Sequence, residues 1–277
     1  MWEQYFIETS RGRFEYFVRG EGEPLAITHL YMDFDERGNL FANPFAEHYK
    51  VYLINVRGAE NSADIEDEEQ LSFKEIVKDL EAIREALNLK EWAFAGHSTG
   101  GMLALHYAVD APQSLTKIVA GSTAASKEYG SHPKSIYCAE NKHFNRIVEI
   151  MDLLNNPDTV REERQKLSYE WALMSYHSEG KLRLAITRPN SGRTLGKNLD
   201  YFRKVEVKNF DIRERLKTIH IPTYVFAGRY DAQCPVEFGI EIADLTPNAK
   251  LTVFEQSNHN PFIEEEEVFK EFVQLTL

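Results

Sequence analysis

The residues best suited to chemistry are a serine, an aspartate and a histidine that lie far apart in the chain. Ser98 stands in Gly96-His97-Ser98-Thr99-Gly100, which fits the pattern G-x-S-x-G. The two glycines remove the steric clashes of a tight turn, and Gly101 continues the relief. Such a turn pushes the serine hydroxyl out above a sheet, at a helix N-terminus whose dipole and free N–H groups favour a developing oxyanion. The pattern therefore predicts a serine nucleophile at position 98.

A serine nucleophile needs a base, and the base needs an acid that orients it. Of the nine histidines, His259 is the best placed, because it follows an apolar strand in the loop before the final helix. Asp231 comes directly after another apolar run, at the carboxyl edge of the predicted sheet, where catalytic groups gather in open α/β folds. The segment Gly121-Ser122-Thr123, after the preceding strand, offers no competing carboxylate. Together the three placements predict a Ser-His-Asp triad.

The remaining histidines and cysteines have other predicted roles. His29 ends a strand and is expected to support the neighbouring loop, His97 fills the variable position of the serine turn, and His106 is expected to pack on the following helix. Cys138 and Cys234 form neither a disulfide framework nor a zinc site. Because no H-E-x-x-H or similar spacing of ligands occurs, we expect neither a metal nor another cofactor.

The elements that must position these residues alternate between strands and helices. Two β-rich runs flank Ser10-Arg11-Gly12, a hairpin signal, and Ser72 with Glu75 predicts a capping box at the start of a helix. The order predicts an α/β fold with a mostly parallel, twisted sheet flanked by helices. The predicted strands cover residues 5–9, 13–19, 25–28, 51–54, 92–95, 117–120, 222–227 and 250–254, and the predicted helices 72–87, 99–109, 235–245 and 264–275.

Between residues 123 and 210 the alternation breaks into a helix-rich, aromatic stretch. We expect this segment to be a helical cap inserted between two strands of the sheet, with residues 1–122 and 211–277 forming the core domain. Trp171, Tyr201 and Phe202 are candidates to line an apolar pocket above the nucleophile. The alternative is that these aromatics form the core of the cap itself.

These motifs resemble those of the α/β-hydrolase superfamily over nearly the whole chain. The match rests on residues 96–101, Gly228-Arg229-Tyr230-Asp231 and Ser257-Asn258-His259, and the chain order Ser, Asp, His is that of the superfamily. The segment from Asn55 to Ser62 is similar to the D-x-R-G-x-G-x-S loop of proline iminopeptidase-like members. This resemblance implies removal of an N-terminal residue from small peptides, or a related amide or ester hydrolysis.

The resemblance also implies an oxyanion hole made of the backbone N–H groups of Thr99 and Tyr31. Two features depart from the peptidase pattern. The loop that is His-Gly-Gly-Pro-Gly in that group is here His29-Leu30-Tyr31-Met32-Asp33, without glycine. The residue after the serine is Thr99, where that group usually has tryptophan. The shape of the acyl pocket is therefore expected to differ.

The sequence leads to a serine hydrolase that acts on a small-molecule or short-peptide substrate by an acyl-enzyme mechanism. An aminopeptidase, a carboxylesterase or lactonase, and a hydrolase fold retired to ligand binding remain open as alternatives. The last has its only support in the unusual Leu30-Tyr31-Met32 loop. An aminopeptidase would need carboxylates in the cap for the substrate amine, such as Glu140 or Glu170.

The balance of charge excludes some partners. The 277 residues carry a net charge of −12, which disfavours binding to nucleic acid and to anionic membranes. Residues 122–210 hold 8 Lys and 7 Arg against 11 Asp and Glu, a net +4 that leaves −16 for the rest. The acidic runs at 64–69 and 264–267 are expected to be solvated faces at helix starts. No apolar run could span a bilayer and the N-terminus lacks signal-peptide character, so we expect a cytoplasmic monomer or homodimer.

Overall fold

A mostly parallel β-sheet forms the framework of the protein. The structure is a computed structural model, and it describes residues 1–156 and 158–277. In these residues the strands are β1 (Glu3–Thr9), β2 (Gly12–Arg19), β3 (Glu23–Ile27), β4 (Met32–Asp33), β5 (Tyr49–Ile54), β6 (Trp92–His97), β7 (Leu115–Gly121), β8 (Arg193–Thr194), β9 (Thr223–Gly228) and β10 (Ala249–Phe254). Eight of them join in the order β1-β2-β5-β3-β6-β7-β9-β10, with the pairs β1–β2 and β2–β5 antiparallel and the other pairs parallel. A separate ribbon pairs β4 with β8.

Helices cover both faces of this sheet, as the sequence predicted. Along β3, Leu25 and Ile27 belong to one buried apolar cluster and Ala26 belongs to the other, so that neither face of the strand meets water. The α-helices are α1 (Phe73–Ala86), α2 (Thr99–Asp110), α3 (Phe144–Asn155), α4 (Arg161–Met174), α5 (Glu179–Ile186), α6 (Gly196–Tyr201), α7 (Arg213–Leu216), α8 (Val236–Leu245), α9 (Pro261–Glu264) and α10 (Glu266–Leu275).

Two local predictions near the N-terminal half have different outcomes. The hairpin is confirmed, because Thr9 pairs with Gly12, whose φ of 125° favours glycine. The capping box at α1 is only half formed: the Ser72 side chain accepts from the Glu75 N–H at 3.3 Å, but the Glu75 carboxylate does not return to Ser72. Instead this carboxylate binds Arg11 at 2.7 Å, and a long-range ion pair has replaced the local contact.

The helix predicted over residues 264–275 is confirmed as α10, but it begins two residues later than predicted, because the chain breaks at Glu265. There φ is −127° and ψ is 57°, so α9 ends and α10 begins anew. The Glu265 carboxylate turns back to accept from the Gln256 N–H at 2.9 Å and from the Ser257 hydroxyl at 2.7 Å. The expectation that residues 264–267 form a solvated face is wrong for Glu264, which is 4% exposed. The carboxylates of Glu264 and Glu265 therefore accept hydrogen bonds from the loop that precedes α9.

The segment 123–210 contains α3 to α6 and the short strand β8, between β7 and β9 in the chain. Its two ends meet, since Ser126 and Asp211 form an antiparallel bridge and the Lys127 N–H donates to the Phe210 carbonyl at 2.7 Å. The ribbon of β4 and β8 ties the middle of the segment to the loop after β3. The segment therefore leaves and rejoins the sheet at one point, and contacts the chain next to Tyr31.

Candidate active site

Ser98 lies in a strained turn between β6 and α2. Its φ of 57° and ψ of −122° belong to a region that side chains other than glycine rarely adopt. A Cβ atom on Gly96 would lie 1.9 Å from the Gly100 carbonyl oxygen, so that the first glycine of the motif is required by close approach. The Ser98 carbonyl accepts from the Thr123 hydroxyl at 2.7 Å, and the Ser98 N–H donates to Gly121 at 2.9 Å. The turn is thus held in place from the neighbouring strand β7.

Asp231 and His259 form a buried hydrogen-bonded pair. The Nδ1 atom of His259 lies 2.9 Å from Oδ2 and 3.0 Å from Oδ1 of Asp231. The backbone N–H groups of Gln233 and Cys234 each donate to Oδ1 at 2.9 Å, which fixes the carboxylate. Because a carboxylate only accepts, the imidazole proton on Nδ1 faces Asp231, and Nε2 is left to accept a proton.

His97 connects the serine turn to His259. Burial, and to a lesser degree the neighbouring His259, holds the pKa of His97 well below its ordinary value, so that its ring is neutral. Its Nε2–H donates to the His259 carbonyl at 2.7 Å, and the centres of the two rings are 4.6 Å apart. The Ser98 hydroxyl itself is partly exposed and forms no hydrogen bond with the residues that the structure describes. The hydrogen bond to His259 therefore comes from His97, the residue before Ser98, and not from the Ser98 hydroxyl.

The two residues expected to supply the oxyanion donors, Thr99 and Tyr31, contact different nitrogens of the His29 ring. Within residues 1–156 and 158–277, the Thr99 N–H has no acceptor. The Tyr31 N–H faces His29 Nδ1 over 3.4 Å, a long hydrogen bond. Burial and the neighbouring His259 lower the pKa of His29 to about 3, so its ring is neutral and Nε2–H donates to the Thr99 hydroxyl at 3.0 Å. His29 thereby joins the loop that carries Tyr31 to the serine turn.

The segment Asn55–Ser62 forms hydrogen bonds with the loop that carries Tyr31. The Asn55 amide accepts from the Phe34 N–H at 2.7 Å and donates to the Phe34 carbonyl at 3.0 Å. Arg57 forms two hydrogen bonds of 3.0 Å with Asp79, and both side chains are buried. The motif that resembles the iminopeptidase loop therefore positions the loop after β3.

Sequence reasoning missed the residues that clamp the His259 loop. Asn258 donates through its backbone N–H to the Glu264 carboxylate at 2.8 Å, and its side chain accepts from the Ala232 N–H at 2.8 Å. The same side chain donates to the Met174 carbonyl at 3.1 Å, at the end of α4. Burial raises the pKa of Glu264 to about 7. Asn258, the polar residue before His259, was the available signal, but two of its hydrogen-bond partners, Ala232 and Met174, are distant in the chain.

The cap residues singled out from the sequence lie in different places. Phe202 is buried, with its ring centre 5.9 Å from that of Tyr31. Burial and the acidic residues around it raise the pKa of Tyr201, which lies beside Glu206. Trp171 is partly buried on α4. Of the two carboxylates, Glu140 is exposed, and Glu170 is bound by the Arg146 guanidinium at 2.6 and 2.7 Å.

Two further features bear on the function. Among residues 1–156 and 158–277, no group of three or more His, Cys, Asp or Glu side chains is arranged to hold a metal ion. In the same part of the chain, no helix has both the length and the apolar character needed to cross a membrane.

Comparisons with known proteins agree with this architecture. The sequence model of the family described as alpha/beta hydrolase fold matches residues 27–266. A solved structure of an alpha/beta fold family hydrolase from Bacillus anthracis str. Sterne is 57% identical, with a TM-score of 0.99 over 100% of both chains. A proline iminopeptidase from Heyndrickxia coagulans is 26% identical over 97% of this chain and 96% of its own length. A pimeloyl-[acyl-carrier protein] methyl ester esterase from Vibrio campbellii is 26% identical over 90% of this chain and 92% of its own.

Proposed function

Because this chain belongs to the α/β-hydrolase family, we propose that it is a serine hydrolase, which cleaves an ester or amide bond of a small substrate through an acyl-enzyme on Ser98. Hydrolase activity is supported by the esterase and peptidase relatives. The single observation that carries the serine mechanism is the buried pair in which His259 Nδ1 lies 2.9 Å from Asp231 Oδ2, next to a serine held at a φ of 57°. A pair of this kind is what a serine nucleophile needs for its activation.

In the proposed reaction, Ser98 attacks the substrate carbonyl while His259 Nε2 takes the hydroxyl proton. Asp231 keeps the other proton on Nδ1 and stabilises the imidazolium that forms. The N–H groups of Thr99 and Tyr31 stabilise the oxyanion, and loss of one such donor costs roughly a hundred- to a thousandfold in turnover. His259 then gives its proton to the leaving group, and water, activated by the same histidine, releases the acid.

The type of bond is the second part of the proposal. The iminopeptidase relative and the segment Asn55–Ser62 favour an aminopeptidase. The ion pair between Glu170 and Arg146 favours a carboxylesterase or lactonase, since the charge of this carboxylate is already compensated by a guanidinium. A panel of aminoacyl-naphthylamides beside short acyl esters and lactones separates these functions by their relative kcat/KM, and we expect the esters to be the better substrates.

The serine mechanism is tested by labelling with a fluorophosphonate. We expect the wild-type protein and Ser131→Ala, a control at an exposed serine, to be labelled, and Ser98→Ala to remain unlabelled. Ester turnover by Ser98→Ala should fall about 10⁴- to 10⁶-fold. A folded wild-type protein that takes up no label, or a label that persists in Ser98→Ala, would overturn the proposal; the first result would favour a fold retired to ligand binding.

A further inference from the structure

The Leu30 carbonyl and the Tyr31 N–H, the second of the proposed oxyanion donors, belong to one peptide unit. This unit is planar and trans, so that its C=O and N–H groups point in opposite directions. A hydrogen bond that fixes the Leu30 carbonyl therefore also fixes the direction of the Tyr31 N–H. The groups that bind this peptide unit thus determine where the donor points.

The segment 123–210 binds this peptide unit through Asn198, on the first turn of α6. The Asn198 Nδ2 atom donates to the Leu30 carbonyl at 3.3 Å and to the Arg57 carbonyl at 2.9 Å. Because a carbonyl oxygen only accepts, the nitrogen of the amide and not its oxygen faces these two groups. The side chain is buried, and its Oδ1 atom has no hydrogen-bond partner in the part of the chain that the structure describes. Since an unpaired buried oxygen is unfavourable, what Asn198 contributes is the two bonds that it donates.

The start of α6 also holds the carbonyl that follows the donor. The Leu195 N–H, directly before α6, donates to the Tyr31 carbonyl at 2.9 Å. Thr194, the residue before Leu195, pairs with Met32 in the ribbon of β4 and β8. Leu195 and Asn198 thus bind the carbonyls on both sides of the Tyr31 N–H, and both residues lie in the segment 123–210.

We propose that Asn198 is a positioning residue, which holds the peptide between Leu30 and Tyr31 so that its N–H can bind the oxyanion of the reaction. This inference rests on the proposed serine hydrolase function. The Tyr31 N–H has only the long bond of 3.4 Å to His29 Nδ1, and a negatively charged oxygen would replace this bond with a stronger one. Because the carbonyl end of the peptide is already held, the donor needs little reorganisation when the charge develops.

The kinetics of ester hydrolysis test this role. Formation and breakdown of the acyl-enzyme both pass through an oxyanion, so that a displaced N–H slows both steps and leaves binding of the substrate as it was. We expect Asn198→Leu, which has a similar shape but no donor, to lower kcat for 4-nitrophenyl acetate roughly 10- to 100-fold and to change KM less than about threefold. The control is Asn190→Leu, which removes another hydrogen bond of the segment 123–210, from the Leu40 N–H at 2.9 Å. It should leave both constants unchanged.

A spectroscopic measurement observes the peptide unit directly. Leu30-Tyr31 is the only Leu-Tyr pair in the sequence, so that protein labelled with ¹³C at the leucine carbonyls and ¹⁵N in the tyrosines gives one resonance from this unit. We expect the carbonyl carbon to move upfield in Asn198→Leu, because a hydrogen bond is lost, and to keep its position in Asn190→Leu. If Asn198→Leu does not fold, Asn198→Ser, with a smaller polar side chain, replaces it in both measurements.

The two measurements separate this inference from the proposed function. If the wild type hydrolyses no ester but the resonance moves in the Asn198 variant and not in the control, the proposed function is wrong, and the part of Asn198 in holding the peptide stands. If the wild type hydrolyses esters and the variant keeps its kcat, or loses kcat without a change in the resonance, the inference alone is overturned. Absence of both hydrolysis and a shift would contradict both.

Discussion

At the residue scale, Ser98 combines a chemical role with an unfavourable backbone. The φ of 57° and ψ of −122° are imposed by the sharp turn between β6 and α2, and they bring the serine side chain to the end of the sheet. A residue other than glycine held in such a conformation costs of order 1–3 kcal/mol. Hydrogen bonds from Thr123 and to Gly121 hold the turn against this strain. Replacing Ser98 should therefore reveal this strain as a difference in the free energy of unfolding.

We expect Ser98→Gly to have a higher free energy of unfolding than Ser98→Ala, by about 1 kcal/mol. Glycine relieves strain of order 1–3 kcal/mol, and its greater freedom in the unfolded chain offsets about 0.5–1 kcal/mol of that gain. Urea unfolding of the two inactive variants provides the measurement. The matched control is Ser131, which is not among the residues with positive φ, so that Ser131→Gly should be less stable than Ser131→Ala. If Ser98→Gly were less stable than Ser98→Ala, as is expected at Ser131, the turn would be unstrained.

At the element scale, the loop that carries His259 is held by its neighbours on both sides. Glu264 of α9 accepts from the backbone N–H groups of His177, Asn258 and Asn260, at 2.5, 2.8 and 3.4 Å. The His259 N–H donates to the Ser175 carbonyl at 3.2 Å, in the connection between α4 and α5. The position of the proposed base thus depends on α9 and on the segment 123–210 together.

The pKa of Glu264 predicts how stability changes with pH. Burial raises it from 4.5 to about 7 in the folded protein. Between these values the unfolded chain has lost the proton and the folded protein keeps it, so that stability falls as the pH rises and levels off above pH 7. We expect the free energy of unfolding of the wild type, relative to Glu264→Gln, to decrease by about 2–3 kcal/mol between pH 5 and pH 8. Urea unfolding at both pH values measures this difference.

The control for this experiment is Glu267→Gln, at an exposed carboxylate of the same acidic run. This variant should follow the wild type at both pH values, because its carboxylate stays in water. The histidines are the same in all three proteins, so that their contribution cancels from the comparison. A difference between the wild type and Glu264→Gln that stays constant with pH would mean that Glu264 is ionised throughout, with its three N–H donors outweighing its burial.

The elements that sequence predicted best are those whose signals are local. The apolar runs of β6 and β9, the small residues of α2 and the glycines around Ser98 each act within a few residues, and all are found. The break at Glu265 was missed because it depends on a carboxylate reaching back to Gln256 across a loop. The ribbon of β4 and β8 was missed because it joins residues about 160 positions apart.

The same distinction applies to the candidate site. The positions of Ser98, Asp231 and His259 follow from the order of strands, and the structure brings the last two together at 2.9 Å. The hydrogen bond from His97 to the His259 carbonyl depends on packing between segments that are distant in the chain. Spacing in the sequence therefore carries no information about it.

At the scale of the whole molecule, a buried ion pair joins the sheet, α1 and the loop that supports the proposed oxyanion hole. Asp79 on α1 accepts from Arg57 at 3.0 Å and from Arg11 at 2.6 Å. Arg57 also donates to the Arg11 carbonyl at 2.7 Å, in the turn between β1 and β2. Arg57 stands two residues after Asn55, which holds Phe34 in the loop after β3. The pair therefore links the edge of the sheet to the site.

We expect Asp79→Ala to lower the free energy of unfolding by about 3–5 kcal/mol, because it leaves the buried Arg57 guanidinium without its anion. The control is Glu255→Ala. The ion pair between Glu255 and Arg229 lies at the surface, where the Arg229 side chain is 41% exposed and the Glu255 side chain 59%, so that it should contribute about 1 kcal/mol or less. Thermal unfolding measures both, at roughly 2–4 °C per kcal/mol. Since Arg57 and Asn55 belong to the same segment, and Asn55 holds the loop that carries Tyr31, ester turnover by Asp79→Ala should also fall at temperatures where the protein is still folded. Equal melting temperatures for the two variants would show that the buried pair adds no more stability than a surface pair.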